Sequence, residues 1–141
     1  MANRTRRHAN FATGNNLFVD TTNDRVGIGT TVPSSTLQVS GTITCIDVNS
    51  TSDVRLKENI HSIKDPLDKI MKINGVGFRW KENKDEAIGV IAQDIEEVIP
   101  EVVKNSGDVK TVNYNGLIGV LIEAVKEQQR QIEELKKQIN N

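Results

Sequence analysis

Apolar positions change their period along this chain. From about Asn10 to Thr51 they fall in short alternating runs. Leu17-Phe18-Val19 and Arg25-Val26-Gly27-Ile28-Gly29 read as strands joined by the turn-rich Thr21-Thr22-Asn23-Asp24. Pro33-Ser34-Ser35 marks a break, after which Thr36-Leu37-Gln38-Val39 and Thr42-Ile43-Thr44-Cys45-Ile46 flank Ser40-Gly41, a predicted hairpin turn or bulge. Each run is too short to hold a core alone, so cover from another chain is expected.

From Ser52 to about Tyr114 the pattern is mixed. Asp65-Pro66 predicts a helix start, with Asp as N-cap and Pro at the first helical position. Leu67, Ile70, Met71 and Ile73 continue at helical spacing until Asn74-Gly75. Val76-Gly77-Phe78-Arg79-Trp80 alternates like a strand, with Phe78 and Trp80 expected in the core. The apolar run Ala87-Ile88-Gly89-Val90-Ile91-Ala92 reads as a buried strand. Asp94 to Ile99 suggests one or two helical turns stopped by Pro100. Val102-Val103 and Thr111-Val112-Asn113-Tyr114 are strand candidates around a turn at Asn105-Ser106-Gly107-Asp108.

A helix is predicted from about Asn115 to Ile139. Ile118, Leu121, Val125, Gln128, Ile132, Leu135 and Ile139 step alternately by three and four, which places 118, 125, 132 and 139 at a and 121, 128 and 135 at d of a heptad. The first half, with Leu117, Val120, Ile122 and Ala124, is broad enough to pack on its own domain. From Lys126 onward the stripe narrows to a seam suited to an oligomeric coiled coil. β-branched residues at a with Leu at d favour parallel dimers by the simple rule, although the polar layer at Gln128 weakens that reading. The expected architecture is therefore α+β: a short β-rich N-terminal stalk (1–51), a small α+β domain (52–114) and a long C-terminal helix (115–141).

Composition sharpens this picture. Among 141 residues, 36% hydrophobic and 4% aromatic content imply a thin core that burial between subunits would supplement. A net charge of −1 gives no general drive toward nucleic acid or membrane. The cluster Arg4, Arg6, Arg7 and His8 is local and reads as a solvated terminus. Cys45 alone can form neither an intrachain disulfide nor a thiolate metal site, and a buried or interfacial thiol is expected. No apolar run approaches the roughly 18 residues of a membrane span, and no signal peptide follows the basic start.

Candidate chemistry concentrates at Ser52-Asp53-Val54-Arg55-Leu56-Lys57. A serine becomes a nucleophile when a base removes its proton, and a lysine of lowered pKa can be that base. The Ser52 Oγ could attack the carbonyl of the preceding bond, Thr51–Ser52. Covalent adjacency gives a high effective concentration, worth ~7–11 kcal/mol when well oriented, so no substrate pocket is needed. Lys57 would take the Oγ proton and pass it to the departing amine, for which its pKa must fall from ~10.4 toward ~7–8. Desolvation or a neighbouring cation such as Arg55 would do this. Water would then hydrolyse the ester, leaving residues 1–51 and 52–141. Oxyanion donors are required, and no residue pattern identifies them. Taken by itself, Ser-Asp before a polar stretch is also an ordinary turn or cap, and a Ser and a Lys at this spacing occur by chance in most proteins.

The wider chain gives the pair its weight. Ser52-Asp53-Val54-Arg55-Leu56-Lys57-Glu58-Asn59-Ile60, then Ile88-Gly89-Val90-Ile91-Ala92-Gln93-Asp94-Ile95-Glu96-Glu97-Val98-Ile99-Pro100-Glu101-Val102-Val103, then Val112-Asn113-Tyr114-Asn115-Gly116-Leu117-Ile118 with Leu121-Ile122-Glu123-Ala124-Val125-Lys126-Glu127, occur in order. They resemble the motifs of the intramolecular chaperone auto-processing domain of phage endosialidases, tail fibres and tailspikes, the peptidase S74 family. Asp94 stands where that family commonly has Glu. Val26-Gly27-Ile28-Gly29-Thr30 and Leu37-Gln38-Val39-Ser40-Gly41 are similar to the β-rich stalk that often precedes the domain.

The resemblance implies a homotrimer whose Ser52 and Lys57 form a cleavage dyad, with no cofactor or metal. It implies a helper that registers the upstream fibre segment and is then released. Assembly would take place in the host cytoplasm, and the N-terminal product would join the virion tail. Only about 50 residues precede the junction, so a small fibre remnant is expected. A non-cleaving trimeric tip or stalk module is the alternative. A DNA-binding regulator using the N-terminal basic cluster is a weaker third, since related domains occur in some self-cleaving transcription factors, yet no DNA-reading motif is present.

Other residues have plainer readings. Gln93, Asp94, Glu96 and Glu97 form a solvated helix face. His61 has no second His or Cys at ligand spacing, and Gly27-Ile28-Gly29 lacks the third glycine and the helix of a dinucleotide loop.

Overall fold

The computed structural model describes residues 16–140, so the basic cluster Arg4, Arg6, Arg7 and His8 and the expected start of the stalk lie outside the described residues. The architecture is α+β, with three small sheets and a long C-terminal helix. The chain divides into two units, Met1–Leu56 and Lys57–Asn141.

In the first unit β1 (Leu17–Asp20) and β2 (Arg25–Ile28) form an antiparallel hairpin in which Leu17 faces Ile28 and Asp20 faces Arg25. Its loop is closed by the Asp20 carboxylate, which accepts from the backbone N–H groups of Thr22 (3.0 Å) and Asn23 (3.1 Å) and from Asn23 Nδ2 (2.8 Å). This is the local side-chain bonding that favours Asp in turns. β3 (Leu37–Val39) pairs with β2 in parallel, Val26 facing Leu37 and Ile28 facing Val39.

The connection between β2 and β3 is shorter than the dozen or so residues a parallel crossover usually takes. Two glycines make it possible. A Cβ on Gly27 would lie 2.2 Å from the Thr30 carbonyl oxygen, and Gly29 adopts φ 71° close to Ser40. Arg25 Nη1 donates to the Pro33 carbonyl at 2.8 Å and holds the crossover down.

Three expectations fail in this unit. Thr42–Ile46 is not a strand, and Ser40-Gly41 is not a hairpin turn. β3 is already paired with β2, and among the described residues no strand pairs with residues 42–46. Ile43, Ile46 and Val48 are accordingly exposed. The Cys45 thiol is likewise exposed, not buried.

The second unit is built on α1 (Pro66–Met71), the β4–β5 hairpin (Val76–Arg79 and Glu86–Gly89), α2 (Ala92–Val98), a 3-10 turn at Pro100–Val102, the β6–β7 hairpin (Val103–Ser106 and Val109–Val112) and α3 (Tyr114–Ile139). Its core is Ile95, Ile99, Val102, Leu117 and Val120, flanked by Ile63, Ile70, Ile73, Val90, Val98, Val103 and Val112. Ile95 is the largest fully buried side chain among the described residues. The core is as thin as the composition implies.

Asp65 does occupy the N-cap of α1, but in the left-handed region (φ 48°) and without a side-chain capping bond. The helix is capped from elsewhere: the Leu67 N–H donates to Glu127 Oε2 of α3 at 3.3 Å. β5 is not buried as its apolar run suggested, since Ile88 is 89% exposed. It lies opposite Gly77 on the outer face of a two-stranded sheet that has no further layer there. Trp80 is 57% exposed and touches Phe78 edge-on, with centroids 5.1 Å apart, so it lies outside the core. Of the expected solvated face of α2, Gln93, Asp94 and Glu97 are exposed, while Glu96 is half-buried and bonds Lys110 Nζ of β7 at 2.8 Å.

α3 is positioned by its start. Asn113 caps it, its side-chain oxygen accepting from the Gly116 N–H. Gly116 lets the helix approach Val102, since a Cβ there would lie 2.6 Å from Val102 Cγ1. Leu117, Val120 and Ala124 are buried against the domain, whereas Ile118, Leu121, Val125, Gln128, Ile132, Leu135 and Ile139 are all exposed. Ile118, Leu121 and Val125 each follow a buried residue by one position, roughly 100° around the helix axis.

Candidate functional site

The site begins in the first unit, at a short 3-10 turn over Val54–Leu56. Asp53 organises it. Its carbonyl accepts from the Leu56 N–H at 3.1 Å, and its Oδ1 accepts from the Arg55 N–H (2.8 Å) and Nε (2.9 Å). Arg55 Nη2 meets Asp53 Oδ2 at 2.7 Å. This is a bidentate fork between planar groups. The Arg55 side chain and N–H hold the Asp53 carboxyl below its usual value, and Asp53 in turn raises the guanidinium's. The fork engages the charge of Arg55, which the sequence alone suggested as a neighbour for Lys57.

Thr51, Ser52 and Lys57 are exposed. The boundary between the two units falls after Leu56, so Ser52 belongs to the first and Lys57 to the second. Beyond Lys57, residues 58–64 form a strap without helix or strand. Asn59 turns it with φ 52°, and its carbonyl oxygen lies 2.7 Å from His61 Nδ1. Ile63 anchors the strap on the core, beside Gly119 of α3. The strap, Lys69 of α1 and the residues Ile99, Glu101, Val102, Gly116 and Val120 border a groove of about 830 Å3.

Among the described residues no cluster of His, Cys, Asp or Glu side chains could hold a metal ion, and no helix is long and apolar enough to cross a membrane. Two contributors were not visible as such in the residue pattern. Glu127 looks like any outer-face glutamate of a heptad, and its bond to Leu67 spans 60 positions. Gly116 has no local turn signal. The Asp53–Arg55 fork was open to detection, because an acid and a guanidinium two positions apart around a turn can meet.

The class is that of an α+β domain ending in a long helix. Residues 52–104 match the model of the Peptidase_S74 family, described as chaperone of endosialidase. The match begins at Ser52. Among known proteins the chain is similar to the long tail fibre protein Gp37 of Salmonella phage S16, with 37% identity over 111 residues, 70% of this chain and 15% of that protein. It is also similar to Gp37 of Enterobacteria phage K3, 38% identical over 98 residues, 62% of this chain and 8% of that protein. Gp37 of Enterobacteria phage M1 is 33% identical over 101 residues, 64% of this chain and 40% of that protein. The chain thus spans well under half the length of these relatives.

Proposed function

We propose that the protein is a self-cleaving intramolecular chaperone of a phage tail fibre or spike. It trimerises through α3, brings the upstream β-segment into register and then severs the Thr51–Ser52 bond. The observation that carries this reading is the start of the family match at Ser52, the residue that would become the new N-terminus. The exposed heptad face of α3 supports the assembly step, because Ile118, Leu121, Val125, Ile132, Leu135 and Ile139 form an apolar stripe that a single chain leaves in water.

In this mechanism Lys57 accepts the Ser52 hydroxyl proton as Oγ attacks the Thr51 carbonyl carbon. The C–N bond breaks, the nitrogen takes the proton and becomes the Ser52 α-amine, and an ester joins Thr51 to Oγ. Water cleaves that ester, giving a Thr51 carboxylate and restoring the Ser52 hydroxyl. Ser52 and Lys57 are exposed in the single chain, so the dyad is completed in the trimer, where the three copies cover residues 51–60. Trimerisation raises the local concentration of the three upstream segments and helps strands pair without slipping register. Cleavage then separates the fibre from its helper irreversibly. Assembly would occur in the host cytoplasm, with the product before Ser52 entering the virion tail.

Intact mass tests this. A fragment beginning at Ser52, absent from Ser52→Ala and Lys57→Ala, is expected. A wild-type chain that assembles and stays whole would overturn cleavage and leave the non-cleaving trimeric tip or stalk module. That second reading draws on the relatives being long tail fibre proteins.

A further inference from the structure

We propose that the groove under the 61–64 strap is a docking site for residues 42–50 of a neighbouring copy. This inference rests on the proposed assembly of copies and adds what holds the segment before the scissile bond.

The groove has an apolar floor and a cationic rim. Ile99, Val102 and Val120 are buried at its base, and Gly116 contributes no side chain there. Lys64, Lys69 and His61 stand at the edge, with Glu101 as the acidic member. At about 830 Å3 it matches the size of a pocket for a few apolar side chains. Its lining residues belong to one unit, so the site is complete without the partner.

Residues 42–50 have the complementary character. They lie in no helix or strand, and Ile43, Ile46 and Val48 are exposed, Ile46 completely. No Lys or Arg lies between Arg25 and Arg55, whereas Asp47 does. The segment therefore offers apolar side chains around one carboxylate, and the groove offers an apolar floor beside two ammonium groups. Burial of Ile46 and Val48 supplies the affinity, and Asp47 against Lys64 and Lys69 sets the register. The segment ends at Ser50, next to Thr51, so docking it would hold the fibre side of the cleaved bond on a different subunit from the one that supplies Ser52.

Disulfide trapping tests the proposal in full-length chains carrying Ser52→Ala, which keeps residues 1–51 attached. One chain presents a single thiol at 43, 45, 46 or 48: native Cys45, or Ile43→Cys, Ile46→Cys or Val48→Cys with Cys45→Ser. A second, tagged chain carries Cys45→Ser with Ser62→Cys. The two are co-expressed and mildly oxidised, and gel filtration reports assembly separately. The expected result is a disulfide between the two chain types. It should be lost when the tagged chain also carries Lys64→Glu and Lys69→Glu, and regained when the other carries Asp47→Lys. Co-assembled chains with no such disulfide at any position overturn this inference alone. So does a disulfide indifferent to charge reversal, or one formed only when both thiols share a chain. Chains that remain monomeric overturn both this inference and the trimeric reading beneath it.

Discussion

The backbone N–H of Leu67 donates to the carboxylate of Glu127, 3.3 Å away and 60 positions later in the chain. α3 thus caps α1, a task that the side chain of Asp65 does not perform. The carboxylate also meets the positive end of a short helix. Glu127→Ala is expected to lower stability by about 1 kcal/mol, as for loss of a helix cap. Glu127→Gln keeps an acceptor and should cost less, about 0.3–1 kcal/mol. Asp65→Ala should cost less than Glu127→Ala. Urea midpoints of the three variants check the order.

Close approach of α3 to the core depends on Gly116. Alanine there would drive its Cβ into Val102 Cγ1, a buried and rotationally stiff side chain. Overpacking of this kind costs about 1–3 kcal/mol, against at most about 1 kcal/mol gained in helix propensity. Gly116→Ala should therefore destabilise. At Gly89 the nearest obstacle is Tyr114 Oη at 2.9 Å, the tip of an exposed side chain that can move. Gly89→Ala should stay within about 0.5 kcal/mol. Thermal unfolding of both variants distinguishes them.

The Asp53–Arg55 fork predicts a pH dependence with a definite sign. Arg55 depresses the Asp53 pKa below its ordinary 3.8. A carboxyl depressed in the folded chain adds stability above its unfolded pKa and loses it as pH falls through the lowered value. The turn should therefore persist below pH 3.8 and open only in stronger acid. In an NMR titration the Asp53 carboxyl should titrate below 3.8, with the Arg55 amide following it. Arg55→Ala should return Asp53 toward 3.8.

Assembly and cleavage are coupled in the proposed mechanism. Ile132→Asp with Leu135→Asp places two carboxylates on the exposed heptad face of α3, away from Leu117, Val120 and Ala124. The variant should fold, run as a monomer by light scattering and remain uncut by intact mass. Cleavage in that monomer at the wild-type rate would break the coupling.

Local features of this fold were readable from residues, and non-local ones were not. The β1–β2 and β6–β7 hairpins and α3 follow from alternation, turn chemistry and heptad spacing within a few positions of each other. The parallel pairing of β2 with β3 was not visible, because nothing in the run Leu37–Val39 says which strand it will join. Thr42–Ile46 has strand composition but no strand partner among the described residues, and propensity without a partner makes no strand. Ile88 and Trp80 show the same limit, since alternation identifies a face without saying whether anything covers it. At the candidate site the motif marked Ser52 and Lys57 clearly. The fork between Asp53 and Arg55 that shapes the turn between them is equally local, whereas the Glu127 bond to Leu67 joins positions 60 apart.

Leu117, Val120 and Ala124 fix how α3 is rotated on its own domain, and Ile118, Leu121 and Val125 look out roughly 100° away. A rigid rod cannot turn one side without the other. In the proposed assembly the interior packing of one subunit would therefore dictate the compass bearing along which it meets its siblings. An enlarged side chain at Val120, invisible from outside, would swing that bearing and misalign the copies before any surface residue had changed.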